Sequence, residues 1–153
     1  MSKGKIFQPE RFKMIASGYL ILIGDQKILL GRRINTGYED GKYGLPAGHI
    51  EEHETLTQGT AREIKEEIGI TVSPKDLVLS HVMHRNANDE RMEFFFIARR
   101  WQGEIKNAEP EKCDDLKWFP LTALPKNIIP YIRAAIKNHV NEQWYSEFGW
   151  NKK

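Results

Sequence analysis

Apolar positions recur along the chain in two rhythms. Residues 14–23 include Ile15, Tyr19, Leu20, Ile21, Leu22 and Ile23, the β-branched and aromatic content of a buried strand. Gly24-Asp25-Gln26 is a turn signal and residues 27–32 read as a second strand, so the pattern predicts that the two pair as a hairpin. Glycines at 37, 41, 44 and 48, with Pro46, predict a loop over residues 37–48. Residues 55–68 form the strongest helical segment: Thr55 and Gln58 fit a capping box, and Gly69 followed by Ile70 fits a left-handed helix end. Strands are predicted over residues 77–84 and 91–101, joined by a polar turn at 86–90, and a short one over 116–119 after a charged loop at 103–115. In the second strand Phe94 and Phe96 share one face and Phe95 the other, which reads as core. Ile129, Ile132, Ile136 and Val140 recur at helical spacing and predict a helix over 128–144, with Pro130 tolerated in its first turn. The aromatic tail (Trp144, Tyr145, Phe148, Trp150) either folds back on the domain or contacts a partner subunit, which leaves a homodimer open.

Length and composition narrow this picture. The chain has 153 residues, one domain's worth (1–153), with 40% hydrophobic and 29% charged residues, so disorder over the whole length is not expected. The apolar runs are too short to span a bilayer, and the basic residues at the N-terminus precede no apolar stretch of the kind a secretory signal carries. One cysteine, Cys113, rules out an internal disulfide and a multi-cysteine zinc site; it reads as inert, in a reducing, cytoplasmic setting. A net charge of +2, from 23 Lys+Arg against 21 Asp+Glu, gives no reason to expect a nucleic-acid or membrane partner.

The helix over 55–68 carries the candidate chemistry. On a wheel of roughly 100° per residue, Ala61, Ile64 and Ile68 face one way, with Thr57 between them and Thr60 at the edge. Glu63, Glu66 and Glu67 face another, with Gly59 one turn before Glu63. Like charges at these spacings repel by roughly a few tenths of a kcal/mol per pair, more when buried. One reading is a solvated acidic face eased by Arg62 and Lys65. The other is a divalent-cation site, since hard carboxylate oxygens suit Mg²⁺ or Mn²⁺ rather than zinc.

The frame around these glutamates decides between the two. From Gly48 the chain reads Gly-His-Ile-Glu-Glu-His-Glu-Thr-Leu-Thr-Gln-Gly-Thr-Ala-Arg-Glu-Ile-Lys-Glu-Glu-Ile-Gly-Ile. It matches the Nudix box, G-x5-E-x7-R-E-U-x-E-E-x-G-U, at Gly48, Glu54, Arg62, Glu63, Ile64, Glu66, Glu67, Gly69 and Ile70, within residues 48–70. Leu45-Pro46-Ala47-Gly48-His49 is similar to the usual lead-in, with Ala47 where a second glycine often stands. The chain therefore resembles the Nudix hydrolases. That resemblance implies an α/β fold, an α/β/α sandwich with a mixed sheet between helices, and hydrolysis of a nucleoside diphosphate linked to a group X. It also implies that Glu63, Glu66 and Glu67 hold magnesium (Mg²⁺, with Mn²⁺ as a substitute), joined by the carbonyl of Gly48. Arg62 would orient the carboxylates, Glu54 would tie loop to helix, and Glu63, Glu67 or Glu109 would take the proton of the attacking water.

The C-terminal third resembles the MutT-like nucleoside triphosphate pyrophosphatases. Arg100-Trp101-Gln102-Gly103-Glu104 is similar to an R-W-x-G-E stretch of that branch. Eight residues after Trp101 stands Glu109, where the branch carries a further metal-binding or basic glutamate. Leu124-Pro125-Lys126-Asn127 is similar to an F/L-P-x-N segment whose asparagine bonds the base, although Asn127 could equally cap the last helix. Arg32 or Arg33 could clamp the outer phosphates; strand alternation lets only one face the cleft, and Arg32 is favoured. Tyr43, His49, His84 and Arg85 are further pocket candidates. The resemblance implies conversion of a (deoxy)nucleoside triphosphate to monophosphate and pyrophosphate, with sanitising of modified nucleotides as its sharper form. ADP-ribose, nucleotide sugars, dinucleoside polyphosphates and capped RNA ends remain alternatives, as does a nucleotide-binding module without turnover.

Overall fold

The computed structural model describes residues 9–151. Its elements in chain order are β1 (Ile15–Leu20), β2 (Ile23–Gly24), β3 (Lys27–Arg33), β4 (Tyr43–Gly44), β5 (Ala47–His49), α1 (Leu56–Ile68), a 3-10 turn (Pro74–Asp76), β6 (Leu77–Asn86), β7 (Glu90–Ala98), β8 (Cys113–Pro120), α2 (Pro130–Val140) and β9 (Tyr145–Phe148). A five-stranded mixed sheet runs in the order β5-β1-β7-β6-β9, with β1–β7 and β6–β9 parallel. A second, antiparallel sheet is built on β3, which pairs with β2, β4 and β8.

The two helices cover opposite faces of the mixed sheet. Ile64 and Ile68 of α1 cluster with Leu20, Leu22, Ile70 and Phe96. Ile132, Ala135 and Ile136 of α2 cluster with Tyr19, Ile21, Met83 and Phe95. Phe95 thus packs toward one helix and Phe94 and Phe96 toward the other, as the alternation requires. Each fully buried aliphatic side chain here contributes about 1.5 to 3 kcal/mol. This is the α/β/α arrangement with a mixed sheet, to which the second sheet is added.

The predicted hairpin is corrected. The run 14–23 is two strands, and only Ile23–Gly24 pairs with β3. β1 lies in the other sheet, between β5 and β7. The chain changes sheets at Ile21–Leu22, where Ile21 N–H donates to the Phe96 carbonyl and Leu22 accepts from Leu29 N–H, so one continuous apolar run serves two sheets. Two short strands also lie within the predicted glycine loop and at its end: Tyr43–Gly44 pairs with β3, and Ala47–His49 with β1. β8 begins at Cys113, earlier than predicted, and α2 ends at Val140, where Asn141 caps it.

The aromatic tail returns to the domain. β9 pairs in parallel with β6, Trp150 Nε1 donates to the His84 carbonyl at 3.0 Å, and Phe148 meets the Tyr131 ring edge-on. Trp144 stays 76% exposed. No helix among the described residues is long and apolar enough to cross a membrane.

Candidate active site

Local sequence rules fix the position of α1. Thr55 Oγ1 accepts from Gln58 N–H while the Gln58 side chain accepts from Thr55 N–H, and Gly69 closes the helix with φ 77°. The last carbonyls of the helix are taken by the next loop: Ala108 N–H donates to Glu67 O and Lys106 N–H to Ile68 O, both at 3.0 Å. That docking brings Glu109 to the acidic face, where its charge acts on both Glu63 and Glu67. Lys112 Nζ stands 3.3 Å from Glu109 Oε2.

Arg62 is the hub of this end. It donates to Glu54 through Nε and Nη2 (3.1 and 2.8 Å), to Glu63 at 2.9 Å, to Glu66 at 3.4 Å and to the His49 carbonyl at 3.2 Å. Glu54 also accepts from Glu51 N–H, and the Arg62 bonds followed by that one hold its carboxyl down at about 2. The Glu54 carboxylate occupies the slim turn beside Gly59, where a side chain would stand 2.5 Å from Glu54 Oε1. The glycine thus makes room for Glu54 rather than for an ion beside the acids.

Glu67 is half-buried and the most strongly desolvated carboxylate of this cluster. Burial pushes it up to about 8, against a 2.9 Å hydrogen bond from Ala47 N–H, and the charges of Glu63 and Glu109 add to the rise. Burial also raises Glu63, which Arg62 opposes. Gly48 faces Glu63 so closely that a Cβ at 48 would lie 2.0 Å from the Glu63 carboxyl carbon. Only glycine allows this approach.

These acids line one wall of a cleft of about 930 Å³. Arg32, Arg33, Lys112, Cys113 and Glu109 line it too, and at its far end so do Ser17, Tyr19, Arg85 and Tyr131. Against the expectation that only one of Arg32 and Arg33 reaches the cleft, both line it. Opposite them β8 carries a bulge, with Asp114 as its extra residue. Asp114 grips Arg32 through two bonds, 2.7 and 3.0 Å. Arg33 is bonded to Tyr38 O and Thr36 Oγ1, and its charge acts on Glu67.

Asn127 is not among the cleft-lining residues: its amide donates to the Gly41 carbonyl at 2.9 Å. Nor does it cap α2, whose cap position is Ile129 without a side-chain bond. It fastens the glycine loop instead. Of the other pocket candidates, His49 and Arg85 line the cleft, whereas Tyr43 hydrogen-bonds Asp115 and His84 packs on Trp150. Burial raises the Cys113 thiol, in keeping with an inert side chain. The sequence reading missed Glu93, a charged residue with no exposed surface, as well as Ser17 and Tyr131. The available signal was Glu93 standing two residues before inward-facing Phe95 in an otherwise aromatic strand.

The donor set fits a hard divalent cation: carboxylate oxygens, a backbone carbonyl brought close by glycine, and a half-buried, desolvated acid whose charge lacks a full partner. Among the described residues no three His, Cys, Asp or Glu side chains converge into a finished cage. Glu63 and Glu66 turn toward Arg62 instead.

Comparison with known proteins places this geometry in a family. The profile described as NUDIX domain matches residues 13–139. The chain belongs to the Nudix family. It is 36% identical over 87 residues to the human 8-oxo-dGDP phosphatase NUDT18, covering 56% of this chain and 26% of that protein. It is 35% identical over 121 residues to the NAD-capped RNA hydrolase NudC of Vibrio atlanticus, covering 77% and 42%. This Nudix chain therefore spans less than half the length of either relative. Its fold superposes on a MutT NUDIX hydrolase from Burkholderia pseudomallei with a TM-score of 0.75 at 26% identity, covering 82% of this chain and 98% of that one. The MutT-like Nudix fold is thereby shown.

Proposed function

We propose that residues 1–153 act as a single Nudix hydrolase domain. The domain splits a nucleoside diphosphate-X linkage, first among substrates a (deoxy)nucleoside triphosphate, giving monophosphate and pyrophosphate. The observation that supports the reading is the pocketed acid cluster: Glu67 is half-buried, pushed up to about 8 by desolvation and bonded by Ala47 N–H, beside a Gly48 that leaves no room for a side chain against Glu63. Phosphoryl transfer asks mainly for positioning and charge neutralisation, and such a cluster supplies both once a dication is held.

In this reading Glu63, Glu66, Glu67 and the Gly48 carbonyl hold Mg²⁺ or Mn²⁺. When bound, such an ion polarises a phosphate oxygen and lowers the pKa of water. Arg62 keeps the carboxylates aimed, since it already bonds Glu54, Glu63 and Glu66. Glu67, Glu63 and Glu109 are the groups available to receive the proton of the attacking water. Arg32, Arg33 and Lys112 offer positive charge to the outer phosphates, Arg32 on releasing Asp114. The name of NUDT18, an 8-oxo-dGDP phosphatase, favours an oxidised nucleotide as substrate; that of NudC keeps NAD-capped RNA among the alternatives.

The test is Glu66→Gln, assayed for Mg²⁺-dependent phosphate release over triphosphates, ADP-ribose, nucleotide sugars and dinucleoside polyphosphates. Turnover is expected to fall by about a hundredfold or more on the preferred substrate. A wild-type protein inert on the whole panel with both Mg²⁺ and Mn²⁺ would overturn the hydrolytic reading and leave a binding module.

A further inference from the structure

The far end of the cleft carries polar groups that the hydrolytic reading does not use. Arg85 and Ser17 line it although each is only 3% exposed. The Arg85 guanidinium lies over the Tyr131 ring, 4.0 Å from its centre. Nε and Nη2 both reach Glu93 Oε1 at 2.8 Å, and Nη1 donates to Tyr38 Oη at 3.2 Å. A guanidinium has five N–H groups. Among the described residues three are matched, so two remain at the cleft wall. Glu93 Oε2 and Ser17 Oγ are both buried and without a hydrogen-bond partner, and the two residues are register partners in the parallel β1–β7 pair. Orphan buried polar atoms are costly to keep and seldom kept without a use.

We propose that Arg85 is the specificity-determining residue of the cleft, reading the carbonyl edge of a neutral nucleobase, with Glu93 as the positioning residue that holds its guanidinium. The inference rests on the nucleotide reading above and extends it to the base. Charge sets the orientation. Glu93 already balances Arg85, so a phosphate at this end would gain no net attraction. The polyphosphate therefore lies at the α1 end, near Arg33 and Lys112, and the uncharged ring at the far end. Unmatched guanidinium N–H groups require an acceptor, while the Ser17 hydroxyl, which lines the cleft, accepts an N–H. A carbonyl beside a ring N–H, as in guanine, uracil and their oxidised relatives, offers both. Adenine and cytosine present a ring nitrogen beside an amine and lack that carbonyl/N–H pair.

The experiment is calorimetric binding of GMP, UMP, AMP and CMP to the full chain in EDTA, for wild type, Arg85→Lys and Ser17→Ala, with circular dichroism to confirm folding. GMP and UMP are expected to bind wild type about tenfold tighter than AMP and CMP, the discrimination of one good arginine–base pair. Arg85→Lys keeps the charge opposite Glu93 and loses the planar fork, so the preference should vanish while the circular dichroism of the fold is retained. Ser17→Ala, which removes only a hydroxyl, should narrow the preference and carries the test if the lysine variant does not fold. Equal affinity for all four, absence of binding at millimolar ligand, or an undiminished preference in a folded variant overturns the proposal. These measurements need neither metal nor turnover. Selective binding without hydrolysis would sink the enzymatic reading alone, and hydrolysis without selective binding would sink this one alone.

Discussion

At one end of the cleft, Glu63, Glu66, Glu67 and Glu109 face two basic side chains, Arg62 and Lys112. At the other, one arginine faces one glutamate, with Arg85 3% and Glu93 0% exposed. The first group is charge-rich and partly open, and its bonds range from 2.8 Å at Glu54 to 3.4 Å at Glu66. The second is balanced, shut away and geometrically fixed by a ring beneath it. A surplus of like charge that is only half withdrawn from water can be completed by a cation. A matched pair fully withdrawn is a poor ion site, and its value lies in holding donors and acceptors still.

The sharpest way to break this contrast is Gly48→Ala, which touches the acidic end alone. The new methyl would collide with the Glu63 carboxyl, 2.0 Å away, and Glu63 would have to move. Displacement of a reacting group by about 1 Å costs about a hundredfold in rate. Steady-state kinetics should show that loss with base discrimination preserved, and unchanged turnover would mean that the acidic wall tolerates rearrangement. At the balanced end the matching change is Arg85→Met, which strands Glu93 as an unpaired buried charge. Urea unfolding should register a loss of about 3 to 5 kcal/mol, most of it restored in Arg85→Met/Glu93→Leu, where no charge remains. A loss below about 1 kcal/mol would show that Glu93 is not held as an ion there.

The same contrast explains what could be read from sequence. Helix α1, its capping box at Thr55 and Gln58 and its glycine end at Gly69 were legible because every partner lies within a few residues. The glutamate face followed from helical spacing. Arg85 stood out as a pocket candidate, but Ser17 and Glu93 did not, because they meet only through a parallel pairing of residues 76 positions apart. The hairpin came out shorter than expected for a related reason. Residues 20–23 are uniformly apolar, and nothing local marks the point after Leu20 where the chain leaves one sheet for the other. Glycine and proline concealed β4 and β5, whose pairing is dictated by β3 and β1 rather than by their own propensity. Asn127 looked like a base reader because a side-chain amide suits that task, whereas the glycine loop it fastens is remote in sequence.

A smaller effect separates frame from function at the acidic end. Thr55→Ala removes the cap from Gln58 N–H without touching any glutamate. Thermal or urea unfolding should show a loss of about 1 kcal/mol, with Mn²⁺ affinity kept. A drop in affinity larger than the drop in stability would show that the start of α1 tunes the cluster directly.

The smallest expected effect compares the two ends in acid. β9 is held to the far side of the mixed sheet by His81, which has no exposed surface. Its Nδ1 lies 2.7 Å from the Gln143 carbonyl, so that nitrogen carries the proton and Nε2 accepts from Ser146 Oγ at 2.8 Å. Burial lowers the pKa of His81 from its ordinary 6.5, and burial followed by the charge of His81 lowers that of His139. For a lowered histidine the unfolded chain takes up protons first. The contribution is complete above about 6.5, declines as pH falls below that, and levels off beneath the lowered native value. Glu54 behaves oppositely in position: its bond to Arg62 is at full strength above the ordinary carboxylate range and is lost only as pH falls toward about 2. Between pH 7 and 5, protection factors, taken relative to the slower intrinsic exchange at the lower pH, should therefore fall in residues 143–148 while the segment from Glu51 to Arg62 keeps its protection. An equal fall in both would mean that the tail and the box loop open as one unit, and that the histidines do not hold the strap on their own.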